Sequence, residues 1–128
     1  MDFLEMDDIL ALHADQLDLY GGEHGVRDMG LLESAGAQAR AAFGGRFLHA
    51  DIFDMAAAYL FHIVQNHPFV DGNKRTGLIA ALVFLDLNGV EIDAPKGSLY
   101  DLALSVATGQ AGKKEVAEFF RNAVSKSA

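Results

Sequence analysis

The chain contains no cysteine, only two prolines, and ten lysines and arginines against eighteen aspartates and glutamates. Without cysteine there is no disulfide and no thiolate metal site, a usage that suits a reducing cytosol. The net charge of −8 argues against general binding to nucleic acid, because phosphate backbones are held by basic surface. No apolar run approaches the roughly 18 residues that a membrane span needs. The amino-terminal MDFLEMDD is acidic where a secretion signal would be basic. Low-complexity tracts and internal repeats are also missing. These absences predict a cytoplasmic protein with no membrane contact and no direct nucleic-acid partner, acting on proteins or small molecules.

What remains is enough for a fold. A chain of 128 residues, 51% of them hydrophobic, is the size of one ordinary domain and can bury a real core. No linker divides it, so residues 1–128 are expected to form a single domain. The periodicity is helical almost throughout. Met6 to Tyr20 places Ile9, Leu12, Leu17 and Tyr20 near one face, and the glycines of YGGEHG end that helix. Asp28 can cap a second helix running through Leu31, Leu32, Ala35 and Ala39 and stopping near Gly44 and Gly45. GGRFLHAD reads as a short, partly extended connection. Asp51 can cap a third helix whose run MAAAYLFHIV is apolar on nearly every side, as a core helix must be. A fourth runs from Gly72 or Asn73 to a cap at Asn88 and Gly89. VEIDAP is an extended link, followed by amphipathic helices from Ser98 to Thr108 and Lys113 to Val124. The expected fold is all-α, a compact bundle of about six helices.

Polar chemistry concentrates in one place. HPFVDGNKRT, His67 to Thr76, joins the two most apolar helices. Pro68 disfavours helical geometry at His67, so the third helix should stop near Asn66 and leave the imidazole at the loop mouth. Phe69 is expected to turn inward and pin the loop. Between Phe47 and Pro95 the only lysine and arginine are Lys74 and Arg75, and they fall in the first turn of a helix. Cations there oppose the helix dipole at a cost of about 0.3–1 kcal/mol each. An anion reverses the sign: free N–H groups after Gly72, with two adjacent cations, suit a phosphate.

Each residue has an ordinary structural role open to it. His67 can bond a helix-end carbonyl, Asp71 can cap a helix, Asn73 can make a turn, and Lys74 and Arg75 can form a solvated first turn. Their joint occurrence within nine residues favours a functional site. His13, His24, His49 and His62 lack such company and read as structural or surface residues. His62 and His67 lack the i, i+4 spacing of a helical zinc site.

HPFVDGNKRTG resembles the signature loop of the Fic/Doc superfamily, written roughly H-P-F-x-D/E-G-N-G/K-R. LALHADQLDLYGGEHGVRDMGLLESA and AALVFLDLNGVEID resemble the flanking segments of its Doc (death-on-curing) branch. The implied fold is again a small all-α bundle. Two departures separate this chain from the Fic adenylyltransferases: Lys74 stands where they have glycine, and Leu78 where they have a second arginine. The Doc branch carries the lysine. The resemblance implies a toxin of a toxin–antitoxin pair, a kinase that moves a phosphoryl group from ATP to a hydroxyl of a translation elongation factor. Its partner would be a cognate, Phd-like antitoxin whose disordered tail folds into a groove on binding. No glutamate in the chain is followed by Gly or Asn, so the inhibitory helix pattern of some Fic proteins is missing.

Phosphoryl transfer, which is mostly positioning and electrostatics, assigns a role to each residue. Gly72, Asn73, Lys74 and Arg75 would hold the phosphates, and Asp71 would hold Mg²⁺, a hard ion that prefers oxygen ligands. An imidazole ordinarily titrates just below neutrality, so His67 would accept the hydroxyl proton. His67 and Asp71 are thus the expected catalytic pair. A Fic-type adenylyltransferase and a non-enzymatic binding module are the alternatives.

Overall fold

The structure, a computed structural model, describes residues 1–126. It is all-α apart from one small hairpin. Six helices are present among the described residues: α1 (Met6–Tyr20), α2 (Met29–Gln38), α3 (Ile52–Asn66), α4 (Asn73–Leu87), α5 (Ser98–Ala107) and α6 (Lys113–Asn122). Between α2 and α3, β1 (Ala42–Phe43) pairs antiparallel with β2 (Arg46–Phe47). Gly44 and Gly45, at φ 61° and 79°, supply the left-handed turn that a two-residue hairpin loop needs. The partly extended connection expected there is this hairpin.

Capping chemistry sets the helix starts as the sequence predicts. The Asp28 carboxylate accepts the Leu31 N–H at 3.0 Å, and Asp51 accepts those of Phe53 and Asp54 at 3.0 and 2.9 Å. The largest difference is at α2, expected to stop near Gly44 and Gly45 but ending at Gln38, because the chain there turns into the β1–β2 hairpin. Helix α5 stops at Ala107 and α6 at Asn122, where the chain pairs with the extended link, Val124 bridging to Ile92. Tyr20 is a further difference. Helix α1 buries Ile9, His13 and Leu17, while Tyr20 is 61% exposed.

The centre is α3 packed against α4, with α2 and α6 also laid on α3 and α1 and α5 on α4. Small residues let the central pair approach closely. Ala56, Ala57 and Ala58 on α3 and Ala80 and Ala81 on α4 are fully buried. A Cβ added at Gly77 would lie 3.1 Å from both the Leu60 carbonyl oxygen and Val64 Cγ2. Around this seam Phe69, Phe84, Leu60, Ile63 and Leu85 are fully buried, each contributing about 1.5–3 kcal/mol of transfer free energy. The connection between α3 and α4 therefore emerges from the most tightly packed part of the molecule, which restricts how that loop can move.

The α3–α6 contact carries a titratable element. Lys113 Nζ lies 3.2 Å from His62 Nε2; since an ammonium only donates, that nitrogen accepts. Burial, then the Lys113 charge, then His49 lower the His62 pKa to about 4. A histidine that resists protonation when folded costs stability as soon as the unfolded chain can take up the proton. Its contribution is complete above the unfolded pKa near 6.5 and is lost as pH falls toward about 4. Urea midpoints measured across this range should therefore fall with pH, and His62→Gln should flatten the slope. An unchanged slope in the variant would remove His62 as the cause.

Candidate functional site

Helix α3 ends because Pro68 cannot follow a helical residue without a clash. His67, its C-cap, takes the left-handed conformation (φ 50°, ψ 54°) and is the one non-glycine residue at positive φ among the described residues. That conformation costs an L-residue about 1–2 kcal/mol, so it persists only where neighbours impose it.

The neighbours come from the segment between α1 and α2. Arg27 donates from Nε to the His67 carbonyl at 2.6 Å and from a terminal nitrogen to the Asn66 carbonyl at 2.9 Å. A guanidinium thus closes the carbonyl end of α3, where the helix dipole favours positive charge. The backbone N–H groups of Arg27 and Asp28 both donate to the Pro68 carbonyl, at 2.7 and 3.0 Å. Val26 bridges to Phe69, and the Val70 N–H donates to the Gly25 carbonyl at 3.0 Å. Residues 22–28 clasp the loop from outside.

From inside, the loop is held by Phe69 and Asn73. The Phe69 ring is fully buried and stacks on His13, with centroids 3.7 Å apart and planes 6° from parallel. His13 Nε2 donates to the Asp71 carbonyl at 2.8 Å, an acceptor that fixes the tautomer. Asn73 is buried, and its carboxamide closes a ring with the Phe69 backbone: Oδ1 accepts the Phe69 N–H and Nδ2 donates to the Phe69 carbonyl, both at 3.0 Å. The side chain expected to hold phosphate is thus committed to holding the loop.

Asp71 stays at the surface. Its Oδ1 accepts the Gly72 N–H at 2.9 Å and its Oδ2 the Glu23 N–H at 3.2 Å. These bonds, Glu23's first, then Gly72's, lower its pKa, with smaller help from Lys74 and Arg75. Asp71 is therefore a carboxylate at neutral pH, with lone pairs to spare. Gly72, at φ 81°, is the N-cap of α4, and no side chain caps that helix. Among the described residues neither Lys74 nor Arg75 is ion-paired to a carboxylate. The Arg75 guanidinium instead lies 4.6 Å from the Tyr20 ring centroid and 5.9 Å from that of Tyr100.

The loop thus presents the His67 imidazole, the Asp71 carboxylate, the first turn of α4 and two cations on its outer side, with Phe69 and Asn73 turned inward. No group of three histidine, aspartate or glutamate side chains converges as a metal site among the described residues. One carboxylate beside an anion site matches the way Mg²⁺ is held jointly with substrate phosphates and water, so Asp71 fits that ion.

Three contributors are not evident from the motif. Arg27 had a signal, being the only lysine or arginine in the first 39 residues and adjacent to the capping Asp28. His13 falls on the apolar face of α1, between Ile9 and Leu17, where an imidazole needs a partner. Tyr20 had none, because its exposure depends on how α1 crosses α4.

The strain at His67 yields a test. His67→Gly relieves the left-handed backbone, so it should raise stability by about 1 kcal/mol. Urea denaturation would show it; a lowered midpoint would mean that His67 is not strained.

Residues 3–85 match the family model described as the Fic/DOC family. Over 124 residues, covering 94% of both chains, the sequence is 37% identical to "Protein kinase doc" of Escherichia phage P1. It is 41% identical over 93 residues to "Toxin Doc" of Mycolicibacterium smegmatis, covering 73% of this chain and 69% of that one. The loop built by Asn73 and Phe69, the six-helix bundle around it and these matches place the chain in the Fic/Doc family.

Proposed function

We propose that this protein is a Doc-type toxin that moves the γ-phosphoryl group of ATP to a hydroxyl of a protein target. The observation that carries the reading is the exposed His67 imidazole, held at a strained corner beside the uncapped, doubly cationic start of α4. A relative is named a protein kinase and another a toxin, which supports the same reading.

In this reading the polyphosphate lies against the first turn of α4, taking hydrogen bonds from the backbone N–H groups of Asn73, Lys74 and Arg75. The Lys74 and Arg75 side chains neutralise its oxygens. Mg²⁺, when bound, draws charge from the phosphate oxygens, and Asp71 is the residue that would hold it. His67 accepts the proton of the target hydroxyl as that oxygen attacks the γ-phosphorus. The P–O bond to the β-phosphate breaks, and ADP leaves with the electron pair.

Arg27 and the Asn73–Phe69 ring act as positioning groups. They fix the backbone from which His67 and Asp71 project, and misplacement by about 1 Å can cost two orders of magnitude in rate. Leu78, partly buried on α4, offers no guanidinium to a terminal phosphate, which disfavours the adenylyltransferase orientation of ATP.

A translation elongation factor in the cytoplasm is the proposed target, and a cognate antitoxin with a tail that folds on binding is the proposed restraint. No described helix is long and apolar enough to cross a membrane. The discriminating experiment incubates the protein with bacterial lysate, Mg²⁺, and ATP labelled at the γ- or the α-phosphate. Label should reach a protein band of elongation-factor size from γ-labelled ATP alone, and chelating the metal should abolish it. Label from the α-phosphate would replace the kinase with an adenylyltransferase. Label from neither would leave a binding module.

A further inference from the structure

Thirteen glycines are present, and at Gly22 alone would an added Cβ come within 3.0 Å of another atom. It would lie 2.8 Å from Asp71 Oδ2, 3.2 Å from Asp71 Cγ and 2.9 Å from Leu17 Cδ2. The backbone there has φ 127°, a value that glycine adopts readily and other residues rarely do. The next residue contributes a bond where Gly22 contributes space: the Glu23 N–H donates to the same Asp71 oxygen at 3.2 Å. From the other side the Gly72 N–H donates to Oδ1 at 2.9 Å, again at a glycine of positive φ. The Asp71 carboxylate therefore stands between two backbone donors, one of them brought across from the segment between α1 and α2. The buried Leu17 packs against both glycines, its Cδ2 being 3.3 Å from where a Gly72 Cβ would lie.

We propose that Gly22 and the Glu23 N–H are positioning groups that aim the Asp71 carboxylate at a divalent cation, so that the segment between α1 and α2 sets the affinity of the site for Mg²⁺. The proposal rests on the reading above in which Asp71 holds that ion, and adds what orients it. An exposed carboxylate left to itself samples several rotamers, and fixing one of them beforehand removes that ordering cost from the binding step. Each Asp71 oxygen accepts one N–H, which leaves a further lone pair on each for a cation. Partners one step behind a ligand are commonly worth roughly 10–100-fold in metal affinity. A methyl group at position 22 would press on two side chains that differ in freedom. Leu17 is buried and Asp71 is exposed, so the carboxylate is the one that yields. Its displacement breaks the Glu23 bond and turns Oδ2 away, while the packing of the fold is kept.

The test separates metal binding from nucleotide binding. Calorimetry would measure ADP affinity with saturating Mg²⁺ and again with chelator, for the intact chain, Gly22→Ala and Gly21→Ala. Gly21 is the matched control: it also has positive φ, 82°, yet a Cβ there meets nothing within 4 Å. All three chains should bind metal-free ADP alike. Mg²⁺ should tighten ADP binding in the intact chain and in Gly21→Ala, and in Gly22→Ala that gain should shrink by roughly tenfold or more. Should Gly22→Ala fail to fold, the Glu23 amide resonance of the intact chain decides the matter. Adding Mg²⁺ to the ADP complex should shift it, and an unmoved resonance would overturn the proposal. A Gly22→Ala chain that keeps the whole Mg²⁺ gain, or a Gly21→Ala chain that loses it equally, would overturn the positioning role and leave the kinase reading in place. An intact chain with no Mg²⁺ gain at all would overturn both the proposal and the assignment of Mg²⁺ to Asp71.

Discussion

A single buried carboxamide holds the functional loop in place. Asn73 sits at the first position of α4, inside the core, and exchanges two hydrogen bonds with the backbone of Phe69 four residues earlier. An unpaired amide in that environment would cost about 1–3 kcal/mol, so each partner enforces the other. Closing this ring sets the path of residues 69–73, which carries Asp71 and joins His67 on one side to Lys74 and Arg75 on the other. Pro68 removes the helical alternative, the Phe69 ring anchors the path to His13, and Gly72 takes the left-handed turn into α4.

The clasp from residues 22–28 is the second layer of the same constraint. It satisfies carbonyls that the end of α3 leaves open, through Arg27, and presents backbone N–H groups to the Pro68 carbonyl and the Asp71 carboxylate. Most of its bonds are backbone-mediated, so its geometry depends little on which side chains face solvent. The result is a tightly held loop whose outward-facing groups cost stability at His67 and, at Lys74 and Arg75, run against the helix dipole. Burial of the α3–α4 seam offsets both.

Much of this is legible in the chain itself, for identifiable reasons. Local rules are strong at Asp28, Asp51 and Pro68, where a carboxylate or a ring decides the backbone within three residues, and the helix ends fall there as expected. Phe69 turns inward because it is the one large apolar side chain in a polar stretch. Other features need the third dimension. Asn73 reads equally well as a ligand or as a loop clip, and its burial and its two bonds to the Phe69 backbone appear only in the folded chain. His13 is 58 residues from the carbonyl it bonds, and Arg27 is 40 from His67. Periodicity puts Tyr20 with the core of α1, yet it is spent on Arg75 because α1 ends where α4 begins.

Amide hydrogen exchange at Phe69 tests the central constraint most directly. Its N–H lies in a loop between two helices but donates to the buried Asn73 oxygen. It should exchange as slowly as the core amides of α3 and α4, opening only with global unfolding, and should lose that protection in Asn73→Ala. Exchange in the intact protein as fast as that of exposed loop amides would contradict the account.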